Sequence, residues 1–190
     1  VSLIDVESVA VTPVKVRPGL NRMVLSPSGR FALAYFDFAK TGGKIAVAGI
    51  KTFNEISIVD VQLKTVSSMA IGFNPKKLTF SKDSPKAFAI TDFDIAIVDL
   101  ETASLRSVPF STDPLVTIQP LQVEVNSTGT YAFILPRDKS QVRAMDLATG
   151  TVTIVLPDPK PAGIRLSPDD SIVLVTHPTT LSTFSQIQAA

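Results

Sequence analysis

A chain of 190 residues, 45% hydrophobic and 18% charged, is too apolar for a disordered tail and long enough to bury a substantial core. Eighteen Lys and Arg against seventeen Asp and Glu give a formal charge of +1 with neither sign gathered into blocks, so no nucleic-acid or membrane-surface footprint is present. The absence of cysteine excludes disulfides, thiolate nucleophiles, iron–sulfur clusters and thioether-linked haem.

The chain opens at Val1 without an initiator Met or a charged segment leading into an apolar one, and this start is expected to be a cut within a longer protein. The longest apolar runs, such as 45–50 and 95–98, fall far short of the roughly 18 residues of a spanning helix. Residues 1–16 read as two short strands joined by a turn, with Asp5 at the end of the first. The next element is a pair of strands around Ser-Pro-Ser-Gly, in 23–36, and it starts a pattern that returns three times, in 78–91, 123–136 and 164–177. The turn anchors Ser26, Ser81, Asn126 and Ser167 stand 55, 45 and 41 residues apart, close to the roughly 40 to 50 residues of one propeller blade. A second strand pair follows in 56–71, 95–110 and 142–157, with Asp60, Asp99 and Asp146 at the place Asp5 holds in the first segment.

With the four strands of a unit labelled a to d, the chain runs c-d (1–16), then a-b-c-d over 20–71, 77–110 and 121–156, then a-b and the beginning of c over 163–190. Every strand is short and rich in Val, Ile, Phe and Thr, and no helix is expected. A lone four-stranded sheet cannot bury both faces, so the predicted fold is all-β: a propeller of four-stranded antiparallel blades, about four present, as a part of a larger ring. Closure of the first c-d pair on the last a-b pair into a four-bladed ring is the alternative. Residues 37–54 interrupt the first full unit with Gly42-Gly43 and an apolar run, which reads as an extended hairpin; the spacing of a phosphate loop is absent.

The turn motifs Leu166-Ser167-Pro168-Asp169 and Met145-Asp146-Leu147-Ala148-Thr149-Gly150 resemble the YVTN and lactonase-like propeller repeats of the WD40-like superfamily. Trp is absent, so the array is not a standard WD40. The resemblance covers nearly the whole chain. It implies a bacterial protein, periplasmic or extracellular, and it brings in lactonase chemistry as an alternative function, built from acidic, basic and His residues of several blades.

The repeated aspartates are expected to cap turns, because a carboxylate there accepts hydrogen bonds from the following amides. Specificity is expected where equivalent positions differ, on the b-to-c and d-to-a connections at one end of the blades. The candidates there are Asp37, Asp92, Asp94, Arg137, Asp138 and His177 on b-to-c connections, with Arg22, Lys76 and Lys77 on d-to-a connections; Lys139 and Lys160 lie in the same loops. Asp92-x-Asp94 has oxygen chemistry suited to a hard cation but lacks the remaining calcium-loop residues, so a solvated turn is expected. His177 is the only histidine, which excludes an intrachain cluster of imidazoles, and beside Pro178 it reads as a loop residue. No cofactor, metal or catalytic residue is assigned. The function expected is a non-catalytic scaffold that offers its loop face to a protein or other ligand, the further alternative being a subunit that scaffolds a redox cofactor on another chain. The expected partners are proteins or the remaining blades, with association of copies through open blade edges, and neither nucleic acid nor a membrane span.

Overall fold

In the computed structural model, which describes residues 1–41, 54–113, 115–178 and 184–188, the elements are strands except for a single 3₁₀ turn. A two-stranded sheet of β1 (Ser2–Ile4) and β2 (Val11–Pro13) comes first. Three four-stranded antiparallel meanders follow. Blade one comprises β3 (Arg22–Leu25), β4 (Phe31–Tyr35), β5 (Glu55–Asp60) and β6 (Thr65–Ala70). Blade two comprises β7 (Lys77–Phe80), β8 (Lys86–Ile90), β9 (Asp94–Asp99) and β10 (Ser104–Pro109), and blade three β11 (Pro120–Val125), β12 (Tyr131–Pro136), β13 (Val142–Asp146) and β14 (Val152–Val155). A three-stranded sheet, β15 (Gly163–Leu166), β16 (Ile172–Thr176) and β17 (Phe184–Gln188), ends the described chain as blade four. These are the antiparallel blades that the repeat predicted.

The strands form where they do because the turns between them are locally self-sufficient. At the a-to-b turns Gly29, Gly129 and Asp170 stand three residues after their anchors with φ of 71°, 71° and 61°. Each returns its N–H to the anchor carbonyl, at 2.9, 2.9 and 3.0 Å. The anchor side chain closes the same turn: Ser26 Oγ and Ser167 Oγ each accept the N–H five residues on at 3.0 Å, and Asn126 Oδ1 accepts that of Tyr131 at 2.9 Å. At the c-to-d turns, Oδ1 of Asp5, Asp60, Asp99 and Asp146 accepts the N–H groups two and three residues ahead, all between 2.7 and 3.2 Å. Four residues past each aspartate the chain takes a left-handed conformation, at Val9, Lys64, Ala103 and Gly150. The repeated carboxylates are turn caps.

The chain divides into two compact units, residues 1–80 with 85–107, and residues 81–84 with 108–190. In the first unit, β4 is buried along its whole length because its alternate side chains enter two different cores. Phe31, Leu33 and Tyr35 pack with Ile56, Ile58, Ala87, Ala89, Ala96 and Val98, so that bulky side chains of blade one meet alanines of blade two. Ala32, on the other face, joins Val14 and Val59. In the second unit, Phe133, Leu135 and Val142 of blade three pack against Ile164, Val173 and Val175 of blade four. The outer strand β6 is mostly exposed, with Val66 and Met69 half-buried on opposite faces, each against a different core.

Among the described residues no α-helix forms, and the short 3₁₀ turn Phe38–Thr41 is started by Asp37, whose Oδ1 accepts the Ala39 N–H at 3.0 Å in the manner of an N-cap. Residues 42–53 of the expected hairpin insertion lie outside the described residues.

Candidate functional site

In an antiparallel meander the b-to-c and d-to-a connections leave the sheet at the same end, so each blade brings two separate loops together there. Blade one ties them with charge and amide. Asp37, 4% exposed, accepts from Arg22 Nη1 at 2.6 Å. Asn21 donates from Nδ2 to the Asp37 carbonyl at 3.0 Å and accepts the Asp37 N–H at 2.7 Å. The Arg22 guanidinium also lies 5.8 Å from the centre of the buried Tyr35 ring. Asp37 and Arg22 are therefore engaged with each other, and the carboxylate is a buried clip.

Blade two repeats the clip with other residues. Lys76 Nζ meets Asp92 Oδ1 at 2.5 Å, and Asn74 Nδ2 donates to Asp92 Oδ2 at 3.0 Å. Asp94 points elsewhere: it accepts hydrogen bonds from the hydroxyls of Thr91 and Ser107, the latter at 2.5 Å. The two carboxylates of Asp92-x-Asp94 thus have separate partners on a partly exposed turn. Among the described residues no group of three or more His, Asp or Glu is arranged to hold a metal ion. Gly72 is required beneath this cluster, since a Cβ there would collide with the side chains of Asp94 and Thr91. Lys77 begins β7 opposite Ile90 and is engaged within the chain.

In blade three Arg137 donates its backbone N–H to the Gln119 carbonyl at 2.9 Å, while the side chains of Arg137 and Asp138 are exposed. In blade four His177 lies on the connection after β16, the loop position read from sequence, and is buried there at 8% exposure. Its Nδ1 faces the Lys160 carbonyl at 3.3 Å and its Nε2 the Ser185 hydroxyl at 2.9 Å. A carbonyl only accepts, so Nδ1 donates to Lys160, while Nε2 is hydrogen-bonded with the Ser185 hydroxyl. The physical reason for the burial is positional: ten residues past each turn anchor, Phe36, Thr91, Pro136 and His177 are all buried.

Two residues absent from the sequence-based candidates stand out on blade two. Phe73, on the d-to-a connection, and Phe93, on the b-to-c connection, are 57% and 55% exposed. The Asp92 N–H donates to the Phe73 carbonyl at 3.2 Å, so the two loops that carry the rings are bonded to each other. The signal was legible: a phenylalanine flanked by turn-forming residues, in Gly72-Phe73-Asn74-Pro75 and Asp92-Phe93-Asp94, has no strand face in which to hide.

Stacked four-stranded antiparallel meanders of this kind define a β-propeller, of which this chain holds a part. The chain matches no protein-family model and no curated protein sequence. Solved structures do match. Dihydro-heme d1 dehydrogenase NirN, in complex with DHE, aligns with 98% of this chain at a TM-score of 0.61 and 15% identity, over 39% of its own length. The β-propeller domain of Myceliophteria thermophila Cps50 (Swd1) aligns with all of the chain at a TM-score of 0.65 and 13% identity, over 64% of its length. The chain therefore spans less than two thirds of either structure, and the likeness is one of fold.

Proposed function

We propose that this chain is a non-catalytic propeller module that holds a protein partner on its b-to-c and d-to-a loop face, with the blade-two loops as the contact. The observation that carries the reading is the pair Phe73 and Phe93, more than half exposed on two loops joined by the Asp92 N–H bond to the Phe73 carbonyl and by the Lys76–Asp92 ion pair. Exposed aromatic side chains on a rigid, polar-rimmed base are what a protein interface uses for its energetic centre. Because their loops are already bonded together, little ordering entropy is lost when a partner covers the rings.

The lactonase-like alternative requires acids and a His free to act on a substrate, yet Asp37 and Asp92 are held by basic side chains and both ring nitrogens of His177 are engaged. The redox-scaffold alternative, in which another chain holds the cofactor, is not the reading that the exposed Phe73 and Phe93 pair favours. Membership of the YVTN and lactonase-like repeats rests on the turn motifs at 145–150 and 166–169, and a bacterial, exported location rests on that resemblance alone.

A photo-crosslinking amino acid placed at Phe93 of the full-length protein in its native cells tests the reading. A discrete protein adduct is expected there and none at Leu63, an exposed apolar residue on a c-to-d turn. Equal labelling at both positions, or none at either, overturns it.

A further inference from the structure

The acceptor motif of asparagine-linked glycosylation, Asn-x-Ser/Thr, stands once in the chain, as Asn126-Ser127-Thr128. Such a motif is ordinarily carried on an open surface loop. Here the asparagine is 8% exposed and anchors the a-to-b turn of blade three.

Its amide has no capacity to spare. Oδ1 accepts the N–H groups of Thr130 and Tyr131, both at 2.9 Å, and Nδ2 donates to the hydroxyls of Thr128 at 3.0 Å and Thr130 at 2.8 Å. Backbone N–H groups only donate, so the turn permits the amide this orientation alone. The hydroxyl that completes the motif is taken as well: Thr128 Oγ1 receives the Asn126 amide and lies 3.0 Å from Thr130 Oγ1. Ser127 is held by neighbouring turns of the second unit, its N–H donating to Asp170 Oδ2 at 2.6 Å and its carbonyl accepting the Lys82 N–H at 2.7 Å. Each residue of the motif is thus committed to the turn or to its neighbours.

Glycan transfer joins C1 of a sugar to the asparagine Nδ2. The bond from C1 to the diphosphate of a polyprenyl-linked donor breaks, the polyprenyl diphosphate leaves, and Nδ2 gives up one proton. The product keeps one N–H where the turn uses two, so a threonine hydroxyl loses its donor, and a sugar has to enter the space that the turn closes around Nδ2. We propose that Asn126 accepts a glycan only while the chain is unfolded, so that glycosylation and closure of the blade-three turn exclude each other wherever the chain meets an oligosaccharyltransferase. Ser26 and Ser167 close the equivalent turns with a hydroxyl, which carries no such conflict. The exclusion is independent of what binds at Phe73 and Phe93.

The test gives an oligosaccharyltransferase and its polyprenyl-diphosphate oligosaccharide two acceptors at equal concentration, the folded full-length protein and a synthetic peptide of residues 121–131. Mass spectrometry then counts the glycan on Asn126. The peptide should be modified and the folded protein at a rate about fiftyfold lower, because only molecules whose turn has opened locally can react. Gly129→Val keeps the motif but strains the turn at φ 71°, and it should bring the rate toward that of the peptide whether the variant folds poorly or not at all. Full-length chain glycosylated at Asn126 during synthesis in secretory cells should show no native melting transition. The proposal is overturned if the folded protein is modified as fast as the peptide, if the peptide is not modified, or if the glycosylated chain melts like the unmodified one.

Discussion

The Asp92 N–H donates to the Phe73 carbonyl at 3.2 Å, across a gap of nineteen residues in sequence, and this bond places two exposed phenyl side chains on neighbouring loops. The Asp92 carboxylate reinforces the bond through Lys76 and Asn74.

Asp92→Ala should therefore loosen the loops without unfolding the blade. Lys76 is 43% exposed at its side chain, so the ion pair itself contributes at most about 1 kcal/mol. Hydrogen exchange is the sensitive measurement: amides of 72–76 and 91–94 should lose protection while those of β8 and β9 keep theirs. Equal loss in the strands would mean that the clip supports the core instead.

Arg22→Met should cost more, about 2 kcal/mol, because it leaves the nearly buried Asp37 carboxylate without its counter-charge. Arg22→Met combined with Asp37→Asn should recover part of that loss, and urea unfolding of the full double-mutant cycle measures the coupling. Additive losses would show that the pair contributes nothing as a pair.

At Gly129 the backbone sits at φ 71°, and Gly129→Ala should destabilise by about 1 kcal/mol because a Cβ strains that conformation. Lys64 holds a comparable φ of 56° at a c-to-d turn, so Lys64→Gly should be neutral or stabilising despite the added chain entropy. Paired thermal melts check both signs.

Acid should weaken the turns before it reaches the apolar core. Asp169 is drawn down to about 2 by the hydroxyls of Ser167 and Ser171, and Asp5 and Asp99 are lowered chiefly by backbone N–H bonds from Ser8 and Thr102. A carboxyl with a folded value below its unfolded value contributes stability that is complete above the unfolded value, near 4, and is lost as pH falls through the folded one. Stability should hold from neutral pH to about 5 and then decline toward pH 2. Asp169→Asn should flatten that decline in urea titrations across the same range.

The sequence by itself determined the repeat, its phase and its turn chemistry. Those features are local: Ser26 closes a turn on Phe31, Asn126 on Tyr131, and Asp60 on Gln62 and Leu63, each within five residues, so side-chain type and spacing suffice to find them. What the candidate loop residues do was decided by tertiary structure alone. Arg22 meets Asp37, Lys76 meets Asp92 and His177 meets Lys160 because the meander returns two distant connections to one end of a blade. The sequence could nominate these residues, but it could not say that the acids would be neutralised or that the histidine would be buried. Those outcomes depend on which side chains face each other across loops and stacked sheets, and a composition of isolated loop residues carries no record of that pairing.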